Sequence, residues 1–133
     1  MTLKYYQVDE AIATDRDVPL KRYYDVAAGK YVLTLLKAAQ AQRSKGYKVT
    51  GEIKRTAPKI KDLQLRVSSD RLPSATTEVC LDVRQVKVVD KNGKSVVQPD
   101  RADAYLDSLK LEKKDFGWRV VGGENRKAQR CDG

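Results

Sequence analysis

Apolar and polar residues alternate along positions 76–84, and this alternation predicts a half-buried β-strand. One face of the strand carries Val79, Leu81 and Val83. Beyond Arg84-Gln85 the apolar positions change from odd to even numbers. A shift of one residue turns every following side chain to the other face unless a bulge absorbs it. We therefore expect one long strand over 76–89 that is bent by a bulge at Arg84-Gln85.

A second long strand is predicted over 102–113, because apolar and polar residues alternate there as well. Its apolar positions also change parity, at Asp107-Ser108, which predicts a second bulge. Asn92-Gly93 lies between the two long strands, and this pair is a strong signal for a tight hairpin turn. Two long strands that are each bent in the middle indicate a strongly curved antiparallel sheet.

Shorter strands are predicted before and after this long hairpin. They cover residues 47–50, 62–67 and 118–121. In the second of them Leu63, Leu65 and Val67 alternate with polar residues, which indicates one buried face. We expect the glycine pair Gly122-Gly123 to end the last strand.

Helical periodicity is confined to the first third of the chain. Three short helices are predicted, one around Tyr5, Val8 and Ile12, one over 20–27 and one over 30–45. Asp17 is a suitable N-cap for the second helix, with Pro19 in its first turn. Gly46 is a suitable residue to follow the last turn of the third.

Helices followed by antiparallel strands indicate an α+β fold in which the helices pack on one face of the sheet. With 133 residues and a mass of 15.0 kDa, the chain fits a single domain over 1–133. Its helical part would span 1–46 and its sheet 47–131. The expected core residues are Leu35, Leu36, Leu109, Leu111, Trp118 and Val120.

Composition is ordinary for a globular protein, at 41% hydrophobic and 34% charged residues. No apolar run approaches the roughly 18 residues that a membrane span requires. The first residues, Thr2 to Tyr6, are polar and aromatic and do not form the apolar segment of a signal peptide. A cytosolic protein and the mature domain of an exported protein both fit this beginning.

The net charge of +9 is unevenly distributed. Residues 43–66 carry eight basic and two acidic side chains, and 110–130 carry seven basic and three acidic. The candidate patch for an anionic partner consists of Lys48, Lys54, Arg55, Lys59, Lys61 and Arg66. The simpler interpretation is a solubilising charge on exposed strands and loops. Tyr47 is the single aromatic residue of 43–66, so stacking on bases, and with it nucleic-acid binding, is disfavoured.

The two cysteines, Cys80 and Cys131, are placed so that a disulfide would hold the chain terminus against the sheet. Closing a loop of about 50 residues stabilises a fold by about 4 kcal/mol on the chain-entropy estimate. A disulfide favours an extracytoplasmic location, whereas two free thiols would suit a reducing cytosol. A structural zinc site is disfavoured, because the chain has two cysteines and no histidine.

Several short segments occur in an order that is typical of one family. They are GYKVTGE at 46–52, VCLD at 79–82, DKNGK at 90–94, GWRV at 117–120 and the terminal Cys131. Through these segments the chain, over about residues 20–131, resembles the NTF2-like domain of small secreted or lipoprotein-anchored proteins of actinobacteria. The resemblance implies a cone, in which a curved antiparallel sheet wraps around N-terminal helices, and paired cysteines. The sequence has neither the leader nor the lipidation cysteine of that group, so membrane anchorage stays open.

Most members of that group have no assigned activity, so the resemblance assigns no catalytic residue, metal or cofactor. It implies a non-catalytic extracytoplasmic binding or accessory domain, whose first candidate partner is a protein of the cell envelope. By analogy of fold, such a domain could be a scaffold piece of a conjugation or secretion machine, or a phage- or plasmid-borne exclusion lipoprotein. An anionic lipid surface is the second candidate partner, and the oligomeric state stays open.

An enzyme that uses the cavity of the cone is the alternative, because NTF2-like cones also house isomerases and dehydratases. Without histidine, the catalytic base would have to be a carboxylate or a tyrosine. The strand carboxylates are Glu78, Asp82, Asp103 and Asp107, and we expect them to be solvated. The residues that could line the cavity are Tyr23, Tyr24, Tyr105 and Trp118. No serine elbow, phosphate loop or metal-helix motif is present in the sequence.

Overall fold

The computed structural model describes residues 1–66, 68 and 70–131. Its helices are α1 (Thr2–Thr14), a 3₁₀ helix (Leu20–Asp25) and α2 (Gly29–Ser44). Its strands are β1 (Lys48–Thr50), β2 (Lys54–Arg55), β3 (Lys59–Gln64), β4 (Ser74–Asp82), β5 (Lys87–Val89), β6 (Ala104–Lys114) and β7 (Gly117–Ala128). In this described part the helices precede residue 46 and the strands follow it, so the predicted α+β order is confirmed.

The strands form two antiparallel sheets of unequal size. The large sheet has the order β2-β4-β6-β7, and β3 also pairs with β4, on the same side as β2. Lys54 lies opposite Asp82 near one end of β4, and Lys59 lies opposite Glu78 further along it. The short strands β2 and β3 therefore form one interrupted edge. The small sheet contains only β1 and β5.

The core lies between the helices and one face of the large sheet, which we call the inner face. Odd-numbered residues of β4 and β6 point to this face, and Val79 and Leu109 are the two of them that are fully buried. The predicted stripe of α1 is confirmed, because its members Tyr5, Val8 and Ile12 are buried. Of the expected core residues, Leu109, Leu111 and Val120 are buried, whereas Leu35, Leu36 and Trp118 are half-buried and pack against the core.

The predicted helix boundaries need one correction. Pro19 occupies the N-cap of the 3₁₀ helix, so the prediction of Asp17 as the N-cap was wrong. Asp17 instead donates its backbone N–H to the carboxylate of Asp15, 2.9 Å away, in a local turn. At the end of α2 the prediction is confirmed, since Gly46 adopts φ +72°, a conformation that favours glycine.

The change of parity at Arg84-Gln85 marks a change of sheet, so the predicted bulge was wrong. β4 ends at Asp82, and the N–H of Val86 donates to the carbonyl of Val83 across a turn. The chain then enters the small sheet as β5. Gly51 allows this turn to approach closely, because a Cβ at Gly51 would lie 1.9 Å from the carbonyl oxygen of Gln85.

The second predicted bulge, at Asp107-Ser108, was also wrong. Strand β6 pairs with β4 without interruption over residues 104–112, and the irregularity lies in β7. Lys110 lies opposite Gly122 and Leu111 opposite Val120, so Val121 is the extra residue. The parity of β6 changes because Leu106 lies on the outer face, in a cleft that Ala128 and Arg130 also line.

Two further strand predictions were wrong. β7 continues through Gly122-Gly123 to Ala128, because each of these glycines has a partner on β6. Strand β3 has no buried face, since all of its residues are exposed. The helices do not cover this edge of the sheet. Of the predicted alternating residues, Leu63 and Leu65 are exposed, and Val67 lies outside the described residues.

The disulfide between Cys80 and Cys131 is confirmed, with 5.6 Å between the Cα atoms. Cys80 pairs with Leu106 in register and faces the outer side of the sheet. The segment after β7 therefore crosses the outer face of β6 to reach β4. The predicted turn at Asn92-Gly93 is confirmed as well, since the N–H of Gly93 donates to the carbonyl of Asp90.

Candidate functional site

The open edge of the large sheet is the first candidate site, and we call β3 with its exposed side chains the β3 edge. Ile60 is 66% exposed and Leu63 is 47% exposed. Ile60 lies opposite Thr77, and Leu63 lies opposite Ala75, two residues of the inner face. The two aliphatic side chains therefore extend the inner face beyond the area that the helices cover.

The β3 edge is also basic and irregular. Lys59 and Lys61 are exposed on the strand, and Arg66 is exposed just after it. The register shifts between Ile60 and Asp62, so Lys61 occupies a bulge. Lysine side chains and bulges are means by which proteins limit indiscriminate pairing at a sheet edge. This edge is therefore open to a partner, but selective for its charge.

The other members of the predicted basic patch lie elsewhere. Lys48 lies on β1 in the small sheet, and Lys54 lies on β2 opposite Asp82. Arg55 forms an ion pair with Glu10 of α1, and its guanidinium lies 5.4 Å from the ring centre of Tyr6. Arg55 therefore joins β2 to α1 and departs from the predicted exposed position. The structure brings together only Lys59, Lys61 and Arg66 along β3.

A partly buried cluster of tyrosines and aspartates is the second candidate site. Tyr6 donates its hydroxyl to Asp107 Oδ2 at 2.5 Å, which joins α1 to β6. Tyr23 donates to Asp9 Oδ1 at 2.5 Å, which joins the 3₁₀ helix to α1. The hydroxyls of Tyr5 and Tyr31 lie 3.2 Å apart. We call these six residues the Tyr–Asp cluster.

The electrostatics of the Tyr–Asp cluster favour protonated groups. Burial raises the pKa of the Asp9 carboxyl, the charges of Asp107 and Glu10 raise it further, and the hydrogen bond from Tyr23 lowers it in part. Burial also raises the pKa of Asp107, against the hydrogen bond from Tyr6. Burial is likewise the main cause of the raised pKa of the Tyr6 and Tyr23 hydroxyls, so both remain donors.

A cavity of about 260 Å³ adjoins this cluster between the helices and β1. Asp9, Tyr23 and Arg43 contribute polar groups to its wall, and Leu35 and Val49 contribute apolar ones. A carboxyl with a raised pKa beside a tyrosine hydroxyl could act as a proton donor or acceptor toward a small molecule. The cavity therefore gives the enzymatic alternative a specific location.

The predicted cavity-lining residues are dispersed. Only Tyr23 lines the cavity beside α1. Tyr24, in the same 3₁₀ helix, is 52% exposed, which departs from the prediction. Tyr105 is half-buried on the inner face of β6, and Trp118 is half-buried on β7. The cavity that Tyr23 lines includes none of the other three.

Two carboxylates were misjudged from the sequence. Asp107 was expected to be solvated but is half-buried against Tyr6, because α1 covers the inner face at this position. Asp9 was not predicted as a functional residue. Its position in the sequence could have indicated its role. Asp9 lies on α1 one residue after the buried Val8 and four residues after the buried Tyr5, at the border of the buried stripe.

Two further observations concern the described part of the chain, residues 1–66, 68 and 70–131. No helix in this part is long and apolar enough to cross a membrane. Within the same residues, no group of three or more cysteine, aspartate or glutamate side chains is arranged to hold a metal ion.

Comparison with known proteins identifies a similar fold. The crystal structure of the intermembrane space region of the chloroplast protein ARC6 matches with a TM-score of 0.62. The match covers 96% of this chain and 92% of that one, at 14% sequence identity. Identity this low shows a shared fold alone. No protein-family model and no curated protein matches the chain.

Proposed function

We propose that the chain is an NTF2-like, non-catalytic binding domain of an extracytoplasmic compartment, and that it acts through protein contacts at the β3 edge. The observation that carries the proposal is the open strand itself, which exposes Ile60 and Leu63 beside a row of basic residues. The partner would be an extended, acidic segment of a cell-envelope protein that adds a strand to this edge.

The backbone of β3 supports this mode of binding. Within residues 1–66, 68 and 70–131, β3 pairs with β4 on one side only, so its other side presents backbone donors and acceptors to a partner strand. Alternate side chains of an added strand would contact Ile60 and Leu63, whose burial supplies roughly 25 cal/mol per Å² of apolar surface. The hydrogen bonds would provide the register and the aliphatic contacts most of the affinity.

The charge of the edge selects the partner. Lys59, Lys61 and Arg66 would attract acidic side chains and repel a second, equally basic copy of the same edge. The bulge at Lys61 further disfavours regular pairing of two β3 strands. An acidic extended segment of another protein therefore fits better than self-association.

The proposed compartment rests on the disulfide. A bond between Cys80 and Cys131 persists in oxidising environments and is rare in the reducing cytosol. The disulfide therefore supports an extracytoplasmic domain.

The test selects extended peptides from a random display library on the oxidised wild-type protein. We expect the selected peptides to be acidic, to contain apolar residues and to slow hydrogen exchange of the β3 amides. The double variant Ile60→Ser, Leu63→Ser should bind them at least about tenfold more weakly, a loss of about 1.4 kcal/mol. The matched control is Leu33→Ser, because Leu33 is 54% exposed on α2. Peptides that bind the double variant as tightly as wild type would contradict the proposal.

A cavity-based activity is the second candidate, favoured by the position of Asp9. Its carboxyl accepts a hydrogen bond from Tyr23 and borders the 260 Å³ cavity. This arrangement would suit proton transfer to or from a small carbonyl compound. Stabilisation by such a compound of wild type, but not of Asp9→Asn, would favour this candidate over the binding domain.

A further inference from the structure

Exposed apolar side chains gather at one end of the large sheet, just beyond the last residue of β3. β4 begins at Ser74 opposite Glu112, and β6 turns into β7 just beyond, at Asp115-Phe116. The connection from β3 to β4 and the turn from β6 to β7 therefore lie at the same end. The N–H of Lys113 donates to the carbonyl of Pro73 and joins the two segments.

Four large apolar or aromatic side chains are exposed at this end. Leu65 and Phe116 are each 62% exposed, Tyr24 is 52% exposed and Leu72 is 39% exposed. Arg119 connects Tyr24 to this group, because its Nε donates to the carbonyl of Tyr24 and its guanidinium lies 4.9 Å from the ring centre of Phe116. We call these four side chains the hairpin-end cluster.

Basic side chains surround the hairpin-end cluster. Arg66, Arg71 and Lys113 are exposed, and Arg119 lies over Phe116. Residues 65–72 and 112–119 together carry five basic and three acidic side chains, so this end is net positive within a chain of net charge +9. Lys114, the fifth of these basic residues, forms an ion pair with Glu112.

We infer that the hairpin end docks on an anionic lipid surface. Exposed aliphatic and aromatic side chains inserted at the headgroup boundary, surrounded by lysine and arginine, are the combination that interfacial membrane binding uses. The four side chains come from three separate segments and line none of the cavities described above. They therefore suit a broad, deformable surface better than a single peptide in a groove.

This inference does not rest on the proposed function, although Arg66 borders both surfaces. The β3 edge would bind its partner through Ile60 and Leu63. The lipid surface would instead contact Leu65, Leu72 and Phe116. Docking at the hairpin end would leave the length of the β3 edge accessible. A domain held at the membrane by one site could then bind an envelope protein by the other.

Sedimentation with vesicles tests the inference. We expect the oxidised protein to bind vesicles of phosphatidylcholine with about one third phosphatidylglycerol at low salt, and binding to weaken steeply as salt rises. The triple variant Leu65→Ser, Leu72→Ser, Phe116→Ser should lose at least about tenfold in partitioning. Two matched controls, Leu33→Ser and Ile60→Ser with Leu63→Ser, should bind the vesicles as wild type does.

The basic residues have their own matched pair of variants. Arg71→Glu with Lys113→Glu should weaken binding to the anionic vesicles, whereas Lys48→Glu with Lys87→Glu, on the small sheet beyond the other end of β4, should weaken it less. Equal binding to vesicles of phosphatidylcholine alone would overturn the anionic requirement. Unchanged binding of the triple serine variant, or no binding of wild type at low salt, would overturn the inference as a whole.

Discussion

At the scale of single residues, Asp9 and Asp107 are the two carboxyls of the Tyr–Asp cluster. Each accepts a hydrogen bond from a tyrosine at 2.5 Å, and each lies where α1 meets other elements. Because burial disfavours the charged form of a carboxyl, both sites hold a proton more tightly in the folded chain than in the unfolded chain. The Tyr–Asp cluster therefore joins the helices to the sheet at an electrostatic cost that depends on pH.

The sign of that dependence follows from the raised pKa of Asp9. A raised pKa contributes stability that is fully present below the unfolded value, near 3.8, and is lost as pH rises through the folded value. Asp9→Asn mimics the protonated carboxyl and still accepts from Tyr23. We therefore expect the melting temperature of this variant to exceed that of wild type near pH 7, and the difference to shrink toward about pH 4.

Asp17→Asn is the control for this experiment, since Asp17 is exposed and lies outside the cluster. Asp82 titrates in the opposite sense, because hydrogen bonds from Arg84 lower its pKa to about 2. Asp82 therefore stabilises the folded state above its unfolded pKa, and this stabilisation is lost at lower pH. Because Asp82 is present in both the variant and wild type, its effect cancels when the two are compared at the same pH. A difference in melting temperature that stays constant with pH would contradict the role assigned to Asp9.

Strand β7 shows at the scale of elements how helices and sheet constrain each other. It continues through two glycines, and only one of them faces the helices closely. A Cβ at Gly123 would lie 2.7 Å from the hydroxyl of Tyr31 and 3.2 Å from Leu109 Cδ2, whereas a Cβ at Gly122 would meet nothing closer than 3.8 Å. Gly123 therefore provides the space in which α2 approaches β7.

We predict that Gly123→Ala destabilises the fold by about 1–3 kcal/mol, the usual cost of overpacking a core. Tyr31 cannot move without losing the contact with the Tyr5 hydroxyl, and Leu109 is fully buried. Gly122→Ala is the matched control and should change the free energy of unfolding by less than about 0.5 kcal/mol. Denaturant unfolding of the two variants measures both values, and equal effects would refute the packing argument.

The elements themselves were predictable from the sequence where one local pattern had one structural meaning. The stripe of Tyr5, Val8 and Ile12, the break at Gly46 and the turn at Asn92-Gly93 are such patterns. A change of parity has two meanings, because a bulge and a change of sheet both reverse the faces of a strand. Distinguishing them at Arg84-Gln85 required the partner strand, which is a non-local fact.

The candidate sites were less predictable for the same reason. The alternation of Leu63 and Leu65 indicated a buried face, but burial depends on how far the helices reach across the sheet. Arg55 was counted as a free surface charge, yet Glu10, 45 residues earlier, binds it. Composition gave the net charge of the molecule correctly and could not divide it between internal ion pairs and exposed patches.

At the scale of the whole molecule, the disulfide connects the end of the chain to the middle of the sheet. It spans a sequence separation of 51 residues that includes both β6 and β7. The first half of β7 is held independently, since Val120 exchanges hydrogen bonds with Val26 and Ala28. The second half, residues 124–128, has β6 as its one partner strand in the described part of the chain and depends more on the bond beyond it.

The last prediction is that Cys131→Ser destabilises the protein by about 2–4 kcal/mol, because the unfolded chain regains the freedom that the closed loop removes. Amides of residues 124–128 should exchange faster in this variant than those of 118–120, since only the latter part of β7 loses its anchor. Wild type treated with reductant should behave in the same way, and its intact mass should rise by about two daltons, one hydrogen per sulfur. Two thiols that alkylate freely in the native oxidised protein would contradict both the bond and the extracytoplasmic compartment inferred from it.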